Sequence, residues 1–563
     1  MRNPRCIPRW LAVLGLCGLM AGALVHADEG SRLDRVLDAI VANEREVAAT
    51  LEQYRPLVET YLQTVRPDSV LGTVPVRDNY FFGRLELPRH DDPAEGENKR
   101  KAKKPKKNKK KALSLFEDFH SATFKPESFA RMLVLDRDNF TRENYDFEFL
   151  RAEFLGEVRT LVFDVVPRKG RALNRIRGGR FTGRIWVEDS EYDIVRYNGA
   201  YSSILAVNFH FDSWRMNMAP GLWLPAYVYT EEAERSSKQL ELTHKGQTRI
   251  WGYEIKRTNA EDEFTKVLID PTRTQDPNDA PGRISPVESV RAWESEAEDN
   301  VLRRLERAGL LAPVGEVDKV LETVVTNLEI TNDLAIDPPV RCRVLMTTPL
   351  ESFTIGRTIV ISRGLIDVLP DEASLAMVLA HELGHVLGGH RLDTTYAFSD
   401  RVLVDDRQAM QQFLFERDPA EEREADDRAT ELLANSPYGE DLQTAGLFLK
   451  VLAVHAESLP SLIRPHFGNP LAEHDRVDRM PSIAAAAPEL EPTSLDQIAA
   501  LPLGGRIKLD PWSAEIELMK NNRVALISAR EKMPFQITPL MPYLARYGAE
   551  ARAADLSATR SSQ

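Results

Sequence analysis

Two histidines four positions apart could bind one metal ion. In the stretch His381-Glu-Leu-Gly-His385, a helical backbone would put both imidazoles on one face, where their ring nitrogens can reach a single cation. Glu382 lies between them and could take a proton from a water at that cation. Two imidazoles and a water suit zinc, which needs one more protein ligand for an open catalytic site. We therefore predict that His381 and His385 bind zinc and that Glu382 is the catalytic base.

The residues around this motif favour a buried helix. Asp371 follows Pro370 and has the residue type of an N-cap, and from there to about Leu387 the chain has no proline and is apolar almost all round. Such a helix is buried, and buried histidines and a buried glutamate need strong compensating partners. The alternative interpretation is a pair of hydrogen-bonded core histidines beside a glutamate on the helix surface.

The third zinc ligand is expected on a later helix. A third histidine in the HExxHxxGxxH manner would stand at position 391, but that residue is Arg391. Further along, Asp418 and Pro419 have the residue types of an N-cap and a first helical residue. On this register, Glu422 and Asp426 lie on an otherwise apolar stripe, where two acids are costly unless they meet a cation or a donor.

We predict that Glu422 is the third zinc ligand. Asp426, one turn further on, would orient a ligand histidine, a role whose loss typically costs ~10–100-fold in metal affinity or activity. The alternative for Glu422 is an internal salt bridge to Arg423 or Arg428. A purely structural zinc ion fits poorly, because a buried Glu382 next to an open coordination position is what hydrolysis requires.

Together, these motifs resemble the zinc peptidases of family M48, which include the CAAX prenyl proteases, the membrane protease HtpX and the periplasmic protease-chaperone BepA. The resemblance covers roughly residues 295–480 and extends to the run from Ser352 to Leu365 and to His390. It implies a mainly α zincin-type (gluzincin) metalloprotease domain with a small edge sheet. It also implies one zinc ion per chain and protein or peptide substrates. With no later segment that is long and apolar enough to cross a membrane, the chain resembles the periplasmic BepA-like branch more than the membrane-integral members.

Three positions depart from the family pattern or follow such a departure. Asn469 stands where the family often has a histidine before proline, so gating of the metal by that histidine is in doubt; His466 or His474 could substitute, or each could be a surface or core histidine. Arg476, which follows, is predicted to contact the substrate or the transition state, with a structural ion pair as the alternative. Glu351 replaces the asparagine at the start of the edge-strand motif.

Two runs before the metal-binding motif have the composition of strands. Thr358-Ile-Val-Ile-Ser362 is expected to be an edge strand beside the cleft, where it could hold an extended peptide by strand addition. Cys342 lies in the alternating run 340–345 and is predicted to be a core residue. Once residues 1–27 are removed it is the one cysteine of the chain, so we expect no internal disulfide.

The N-terminus has the pattern of an export signal. Arg2, Arg5 and Arg9 precede an apolar run over residues 10–25, and small residues lead to a cleavage site after Ala27. This pattern predicts a signal peptide over residues 1–27, too short to cross a membrane comfortably, and hence a periplasmic or secreted protein. An uncleaved membrane anchor is the alternative.

The region before the motif is predicted to be rich in β-structure. Residues 28–70 have helical spacing, and residues 71–257 have antiparallel strand patterns with turn chemistry between them. We expect an α+β multidomain protein whose N-terminal part is an antiparallel β half-barrel-like domain, weakly resembling the LolA/LolB-like lipoprotein carriers. The strand runs are residues 159–166, 181–187, 192–197, 223–229 and 248–255.

The remaining segments are linkers and extensions. A lysine-rich run over residues 99–111 is expected to be a solvated loop or, alternatively, a contact with anionic lipid headgroups. Residues 258–290 have the composition of a linker, residues 291–482 would form the zinc metalloprotease domain, and residues 483–563 a C-terminal extension with strands near 506–509 and 514–518.

Length and charge complete the prediction. A chain of 563 residues is expected to hold two to four domains, and its net charge of −13 argues against nucleic-acid binding as a main role. The leading interpretation is a zinc metalloendopeptidase that acts on envelope or exported proteins in protein quality control. The alternative is a periplasmic chaperone or a lipoprotein- or lipid-binding factor whose zinc site is regulatory or idle.

Overall fold

A computed structural model shows an N-terminal antiparallel sheet followed by a mainly helical region with small sheets. It describes residues 32–68, 72–84, 132–135, 139–168, 180–201, 207–236, 239–253, 286–390, 415–465, 467–491, 507–510, 515–518, 544 and 546. The predicted signal peptide, the lysine-rich run and most of the predicted linker lie outside these residues. None of the helices among them is long and apolar enough to span a membrane.

The described ranges contain nine helices besides a short helical piece at residues 132–133. They run over residues 32–51 (α1), Pro286–Arg307 (α2), Glu316–Thr331 (α3), Arg363–Val368 (α4), Glu372–Gly388 (α5), Pro419–Ala434 (α6), Leu442–His455 (α7), Pro460–Ile463 (α8) and Pro481–Ala486 (α9). A short 3₁₀ helix over Gly439–Asp441 precedes α7.

The strands form one large and three small sheets in the same part of the chain. They run over Leu57–Asp68 (β1), Gly72–Arg84 (β2), Tyr145–Leu155 (β3), Val158–Pro167 (β4), Phe181–Glu188 (β5), Ile194–Tyr201 (β6), Val207–Ala219 (β7), Leu222–Ser236 (β8), Gln239–Trp251 (β9), Arg341–Leu345 (β10), Ser352–Ile355 (β11), Thr358–Ser362 (β12), Ala472–Glu473 (β13), Arg476–Val477 (β14), Ile507–Asp510 (β15) and Glu515–Leu518 (β16).

The large sheet has nine strands in the order β2-β1-β9-β8-β7-β6-β5-β4-β3. Every neighbouring pair is antiparallel, as the alternating sequence patterns and short turns predict. Helix α1 packs on one face: Ile40 and Leu51 share a hydrophobic cluster with strand residues such as Val58, Tyr197 and Ile250. The predicted antiparallel β-rich N-terminal region is confirmed.

The helical segment predicted over residues 28–70 is wrong in its second half. Helix α1 ends at residue 51, and Leu57–Asp68 is strand β1 of the large sheet. Pro56 disfavours helical backbone at the residue before it, and the following run is rich in β-branched and aromatic residues that pack well in a sheet. The sheet therefore includes residues on both sides of the boundary expected at residue 70.

The helical region surrounds a three-stranded sheet with the order β10-β12-β11. Strand β12 pairs in parallel with β10 and antiparallel with β11, so it is the central strand and β11 is an edge. The prediction that Thr358–Ser362 forms the edge strand is therefore wrong. All five residues of β12 are buried, as expected for a strand with neighbours on both sides. Cys342 is buried in β10, which confirms it as a core residue.

Buried polar contacts join the large sheet to the helical region. Glu59 of β1 is 1% exposed, and one of its carboxylate oxygens accepts a 2.8 Å hydrogen bond from Oγ1 of Thr348. Asp78 of β2 accepts hydrogen bonds of 2.9 Å from the backbone N–H groups of Ser461 and Leu462 in α8. These carboxylates fix β1 and β2 against the helical region at two separate points.

The C-terminal extension has two contacts with defined partners. Strands β15 and β16 lie close to the two strand positions predicted from the sequence, and they pair antiparallel. Further along, the carbonyl oxygen of Leu544 accepts a hydrogen bond from the backbone N–H of Glu157 in the β3–β4 turn. Arg546 lies 3.3 Å from Glu188 at the end of β5. The chain therefore returns from the helical region to the N-terminal sheet.

Candidate metal centre and active site

Helix α5 presents two histidines and a glutamate into the interior of the helical region. It begins after Asp371, whose side chain accepts a hydrogen bond from the backbone N–H of Ser374, as predicted for an N-cap. Every residue from 373 to 385 is buried, because the helix is apolar almost all round. His381, Glu382 and His385 are at most 2% exposed.

Helix α6 brings two acids to these histidines. Its N-cap is Asp418 and its first residue is Pro419, as predicted, and the cap accepts from the N–H of Ala420. The buried stripe consists of the residues that the sequence predicts: Glu422, Ala425, Asp426, Ala429, Leu432 and Leu433.

A glycine in α5 allows the two helices to approach closely. A Cβ atom at Gly384 would lie 2.7 Å from the carbonyl oxygen of Ala425 in α6, which is closer than real Cβ contacts. Position 384 therefore has to be a glycine for the two helices to keep this spacing. The close approach sets how near the acids of α6 come to the histidines of α5.

The ring nitrogens of His381 and His385 converge with the carboxylate of Glu422. The two Nε2 atoms are 3.1 Å apart, and they lie 3.2 Å and 3.4 Å from the two oxygens of Glu422. One ligand atom from each of the three residues falls within 4.8 Å of the others. The structure thus brings together the three residues that the sequence predicts as metal ligands. The alternative salt bridges of Glu422 are not formed, because Arg428 instead pairs with Glu424 at 2.8 Å.

The donor set fits a zinc ion. Ligand atoms of a tetrahedral zinc site with bonds of about 2.0–2.1 Å lie about 3.3 Å apart, close to the separations observed here. Both carboxylate oxygens of Glu422 are buried, and within the described residues neither accepts a hydrogen bond. Buried carboxylate oxygens are normally satisfied, so these two oxygens and two facing imidazole nitrogens are arranged for a cation.

The outer ring nitrogens of both histidines have partners. Nδ1 of His381 lies 2.8 Å from a carboxylate oxygen of Asp426, and Nδ1 of His385 lies 2.8 Å from Nδ1 of His390. Because a carboxylate only accepts, His381 donates from Nδ1 to Asp426 and leaves the Nε2 lone pair facing the centre. The partner of His385 is His390, a residue that the resemblance drew attention to without giving it this position.

Electrostatics differ at the two histidines. Burial and Arg479 lower the pKa of His381, but the carboxylates of Asp426, Glu422 and Glu382 outweigh them and raise the pKa to about 9. The pKa of His385 is lowered, mainly by burial. His381 is therefore the histidine that compensates the surrounding carboxylates most strongly when no metal is bound.

Glu382 is held by residues of the edge strand β11 and by an arginine. Its Oε1 accepts from Oγ of Ser352 at 2.7 Å and from Nη1 of Arg479 at 2.9 Å, and its Oε2 accepts from Oγ1 of Thr354 at 2.7 Å. Burial raises the pKa of Glu382, but Arg479, the two histidines and Ser352 lower it below its ordinary value. Glu382 is therefore an oriented, ionised carboxylate next to the converging ligand atoms.

The arginine of the site is Arg479, and the predicted Arg476 is elsewhere. Arg476 has a side chain that is 76% exposed, and it pairs with Asp478 at 2.6 Å. It belongs to the β13–β14 hairpin, where its backbone lies opposite Glu473 and its side chain points to solvent. Arg479 is 3% exposed, and its Nε lies 3.4 Å from Glu422. The ion pair given as the alternative for Arg476 is present, whereas its contact with the substrate or the transition state stays a prediction.

Asn469 fixes the segment that leads into α6. Its Oδ1 accepts from the backbone N–H of Arg417 at 2.6 Å, and its Nδ2 donates to the carbonyl oxygen of the same residue at 3.1 Å. Its own carbonyl accepts from Nη2 of Arg479 at 2.8 Å. A side-chain amide is suited to pairing with one residue's N–H and C=O together. Asn469 therefore connects the start of α6 with the arginine of the site.

The other residues singled out in this region do not reach the metal centre. His474 is 68% exposed and lies 3.3 Å from Glu473, and His466 is beyond the described residues. Glu351 is fully buried and structural: one oxygen accepts from Oγ1 of Thr347, and the other accepts from the N–H of Phe467. It holds the start of β11 against the segment around residue 467.

Comparison with known families supports a metallopeptidase. Residues 315–466 match the family model described as peptidase family M48. This range contains α3, the three-stranded sheet, α5, α6 and all three candidate metal ligands, whereas Arg479 and the large N-terminal sheet lie outside it. No curated protein matches the chain. The match supports family M48 for this region, and with it metalloprotease activity.

Proposed function

We propose that this protein is a zinc-dependent metalloendopeptidase that hydrolyses peptide bonds of envelope or exported proteins. The observation that carries the proposal is the convergence of His381, His385 and Glu422, with both buried oxygens of Glu422 free of hydrogen bonds in the described part of the chain. The match to peptidase family M48 over the same residues supports it. We propose one zinc ion per chain, held by these three side chains.

The surrounding residues have separate tasks in this proposal. When bound, zinc would polarise the scissile carbonyl and lower the pKa of a water to about 7. Glu382 is the proposed general base, because its carboxylate is oriented beside the ligand atoms and can hold a proton before returning it to the leaving amine. Asp426 keeps His381 in the tautomer that leaves Nε2 without a proton. Ser352 and Thr354 keep Glu382 in place.

The outer edge of β11 is the proposed docking line for the peptide. In an antiparallel pair, alternate residues direct their backbone groups away from the neighbouring strand, and in β11 these are Ser352 and Thr354. Their side chains hydrogen-bond Glu382, so an extended peptide paired to this edge would run beside the catalytic carboxylate. This edge takes the place of β12, whose two sides are already paired.

A variant of the base tests the proposal. Glu382→Gln keeps the size of the side chain and should bind zinc but lose nearly all hydrolysis of casein, since a neutral amide cannot accept the proton. The matched control is Glu372→Gln in the first turn of the same helix, which should keep full activity. Equal activity of Glu382→Gln and wild type would refute the general-base role. If wild type hydrolyses nothing, and both wild type and Glu382→Gln protect unfolded proteins from aggregation, the chaperone or lipid-binding alternative replaces the peptidase.

We propose that the protein is exported to the periplasm or secreted. The support is the sequence pattern of residues 1–27, with three arginines before an apolar run. N-terminal sequencing of the protein from the extracytoplasmic fraction should give Asp28 as the first residue, whereas recovery of Met1 in a membrane fraction would favour an uncleaved anchor.

The lysine-rich run is proposed as a contact with anionic lipid headgroups. Deletion of residues 99–111 should then reduce binding to anionic vesicles, and unchanged binding would contradict that contact.

The N-terminal sheet is proposed to locate or select substrates. Its meander of antiparallel strands is the basis of the proposed likeness to LolA/LolB-like carriers, and α1 covers one of its faces. We propose that the sheet and α1 form one domain, followed by a linker up to the start of α2, the metalloprotease domain, and a C-terminal extension. A cleavage assay with a mixture of folded and unfolded proteins, compared between the full chain and variants of the sheet surface, tests this role.

A further inference from the structure

Arg417 has a buried guanidinium for which the described part of the chain provides no carboxylate partner. It is 8% exposed, and no described carboxylate lies within 4.0 Å of its guanidinium nitrogens. Nη2 donates to the carbonyl oxygen of Thr354 at 2.9 Å, whereas Nη1 is buried and has no hydrogen-bond partner among the described residues. Buried charges are normally paired, because removing a cation from water costs several kcal/mol. This arginine can therefore bind an acceptor that does not belong to the described part of the chain.

The backbone of Arg417 is fixed, so its position is not accidental. Both its N–H and its C=O are hydrogen-bonded to the side chain of Asn469, and the next residue but one begins helix α6. The guanidinium is consequently held at the outer edge of β11. Arg479 holds the neighbouring outward carbonyl, that of Ser352, at 3.3 Å. The two outward carbonyls of the edge strand thus each accept from an arginine.

These two arginines differ in what remains of their hydrogen-bonding capacity. Arg479 also donates to Glu382 and lies beside Glu422, so its charge is compensated inside the site. Among the described residues, one acceptor is found for the side chain of Arg417, and its Nη1 group has none. A peptide paired to β11 would bring its own N–H group to the carbonyl of Thr354. That N–H would replace Nη2 of Arg417 at the carbonyl, so Nη2 would become available as a further donor.

We propose, on the basis of the proposed peptidase function, that Arg417 is a specificity-determining residue that binds a carboxylate of the substrate. The carboxylate is either an acidic side chain close to the scissile bond or the C-terminus of the peptide. A guanidinium matches a carboxylate with two parallel hydrogen bonds, and its charge makes those bonds strong. Arg417 and Glu382 both hydrogen-bond Thr354 of β11. Arg417 donates to its backbone carbonyl, and Glu382 accepts from its side-chain hydroxyl.

Charges further away compensate Arg417 only in part. Burial lowers the pKa of Arg417, and the carboxylates of Glu382, Glu421, Glu422 and Glu298 offset this lowering incompletely. A substrate carboxylate in direct contact would compensate the buried charge, whereas a lysine at the same place would meet a buried like charge.

Matched peptides test this inference. Capped peptides that span a casein cleavage site should be prepared with Glu or the isosteric Gln at each position near the scissile bond, and with a free or amidated C-terminus. At one position, or at the C-terminus, wild type should prefer the charged form by about 10- to 150-fold in kcat/KM, the range expected of a hydrogen bond to a charged group. In Arg417→Gln this ratio should fall close to one, and Arg417→Lys should recover part of it.

A second measurement separates specificity from activity. Binding of the same peptide pairs to zinc-loaded Glu382→Gln, followed by fluorescence anisotropy, should show the same preference, and the preference should disappear in the double variant with Arg417→Gln. Arg357→Gln is the matched control, because Arg357 is exposed in the β11–β12 turn of the same sheet. Equal binding of charged and neutral peptides would overturn the carboxylate role and leave the peptidase function standing. Loss of cleavage in all peptides, with the binding preference intact, would instead count against the peptidase function alone.

Discussion

Replacing Arg479 with glutamine should destabilise the helical region by about 3–5 kcal/mol, the usual cost of removing one partner of a buried ion pair. The side chain is 3% exposed, its Nη1 bonds Glu382 at 2.9 Å, and its Nε lies 3.4 Å from Glu422. Without the guanidinium, two buried carboxylates lose the cation that lowers their pKa. Glutamine can replace hydrogen bonds to the carbonyls of Ser352 and Asn469 but cannot replace the charge.

Bound zinc should reduce this loss. The ion would provide positive charge next to Glu422, so Arg479→Gln should lose more stability in the presence of a chelator than with zinc. For a domain of 150–250 residues, each kcal/mol corresponds to about 2–4 °C in Tm. The metal-free variant should therefore melt about 6–20 °C below wild type, and the difference should be smaller when zinc is added.

Thermal unfolding of wild type, Arg479→Gln and Arg476→Gln, each with excess EDTA and with excess zinc, measures these differences. Arg476 is the matched control from the same segment, and because its side chain is 76% exposed its replacement should change stability by no more than about 0.5 kcal/mol. If Arg479→Gln melts at the temperature of Arg476→Gln in EDTA, the buried ion pairs do not hold the site together. If the two conditions give the same loss, zinc and Arg479 do not share the compensation of Glu422.

Three further substitutions test other contacts. Asp426→Asn should weaken zinc binding by about 10–100-fold in a chelator competition, because it removes the acceptor that orients His381, whereas Asp427→Asn on the exposed side of α6 should leave affinity unchanged. Gly384→Ala should lower both Tm and zinc content although alanine favours helices, because its Cβ would lie 2.7 Å from a backbone oxygen of α6; unchanged zinc content would contradict the close approach. Burial, with neighbouring acids, raises the pKa of Asp193 to about 6, above the value near 4 of an unfolded chain, so ionisation opposes folding as the pH rises through that value. Asp193→Asn should therefore be more stable than wild type in urea at pH 8 by roughly 1–3 kcal/mol and equal to it near pH 4, and a constant difference across this range would refute the shift.

The convergence of the three candidate metal ligands could be predicted because it depends on local features of two helices. The caps at Asp371 and Asp418 and the spacing of apolar residues determine which side chains of α5 and α6 face inward, and each prediction depends on a few neighbouring residues. Acids on an apolar stripe, such as Glu422 and Asp426, are costly unless they meet a cation or a donor, so their position predicts such a partner. Metal binding could be predicted from these residues because acids are rarely buried inside proteins without a partner.

The positions of the arginines depend on contacts that no local pattern specifies. Arg476 and Arg479 are three residues apart, and only the β13–β14 hairpin decides that the second one turns inward. For β12, a signal was present: its centre is three consecutive apolar residues without polar alternation, which indicates a strand with neighbours on both sides. The pairing of Asn469 with Arg417 joins residues 52 positions apart and has no sequence signal that we can identify.

The contact between the N-terminal sheet and the helical region reaches Glu382 through a short series of residues. Glu59 of β1 accepts from Thr348, and the neighbouring Thr347 donates to Glu351, the residue before β11. The following residue of the chain, Ser352, holds Glu382. Burial raises the pKa of Glu59, so its charge is tolerated only while these donors and the nearby Arg249 stay in place. Separating the sheet from the helical region would expose the donors that fix the start of β11. The sheet is therefore part of the support of the proposed active site as well as a candidate substrate-selecting surface.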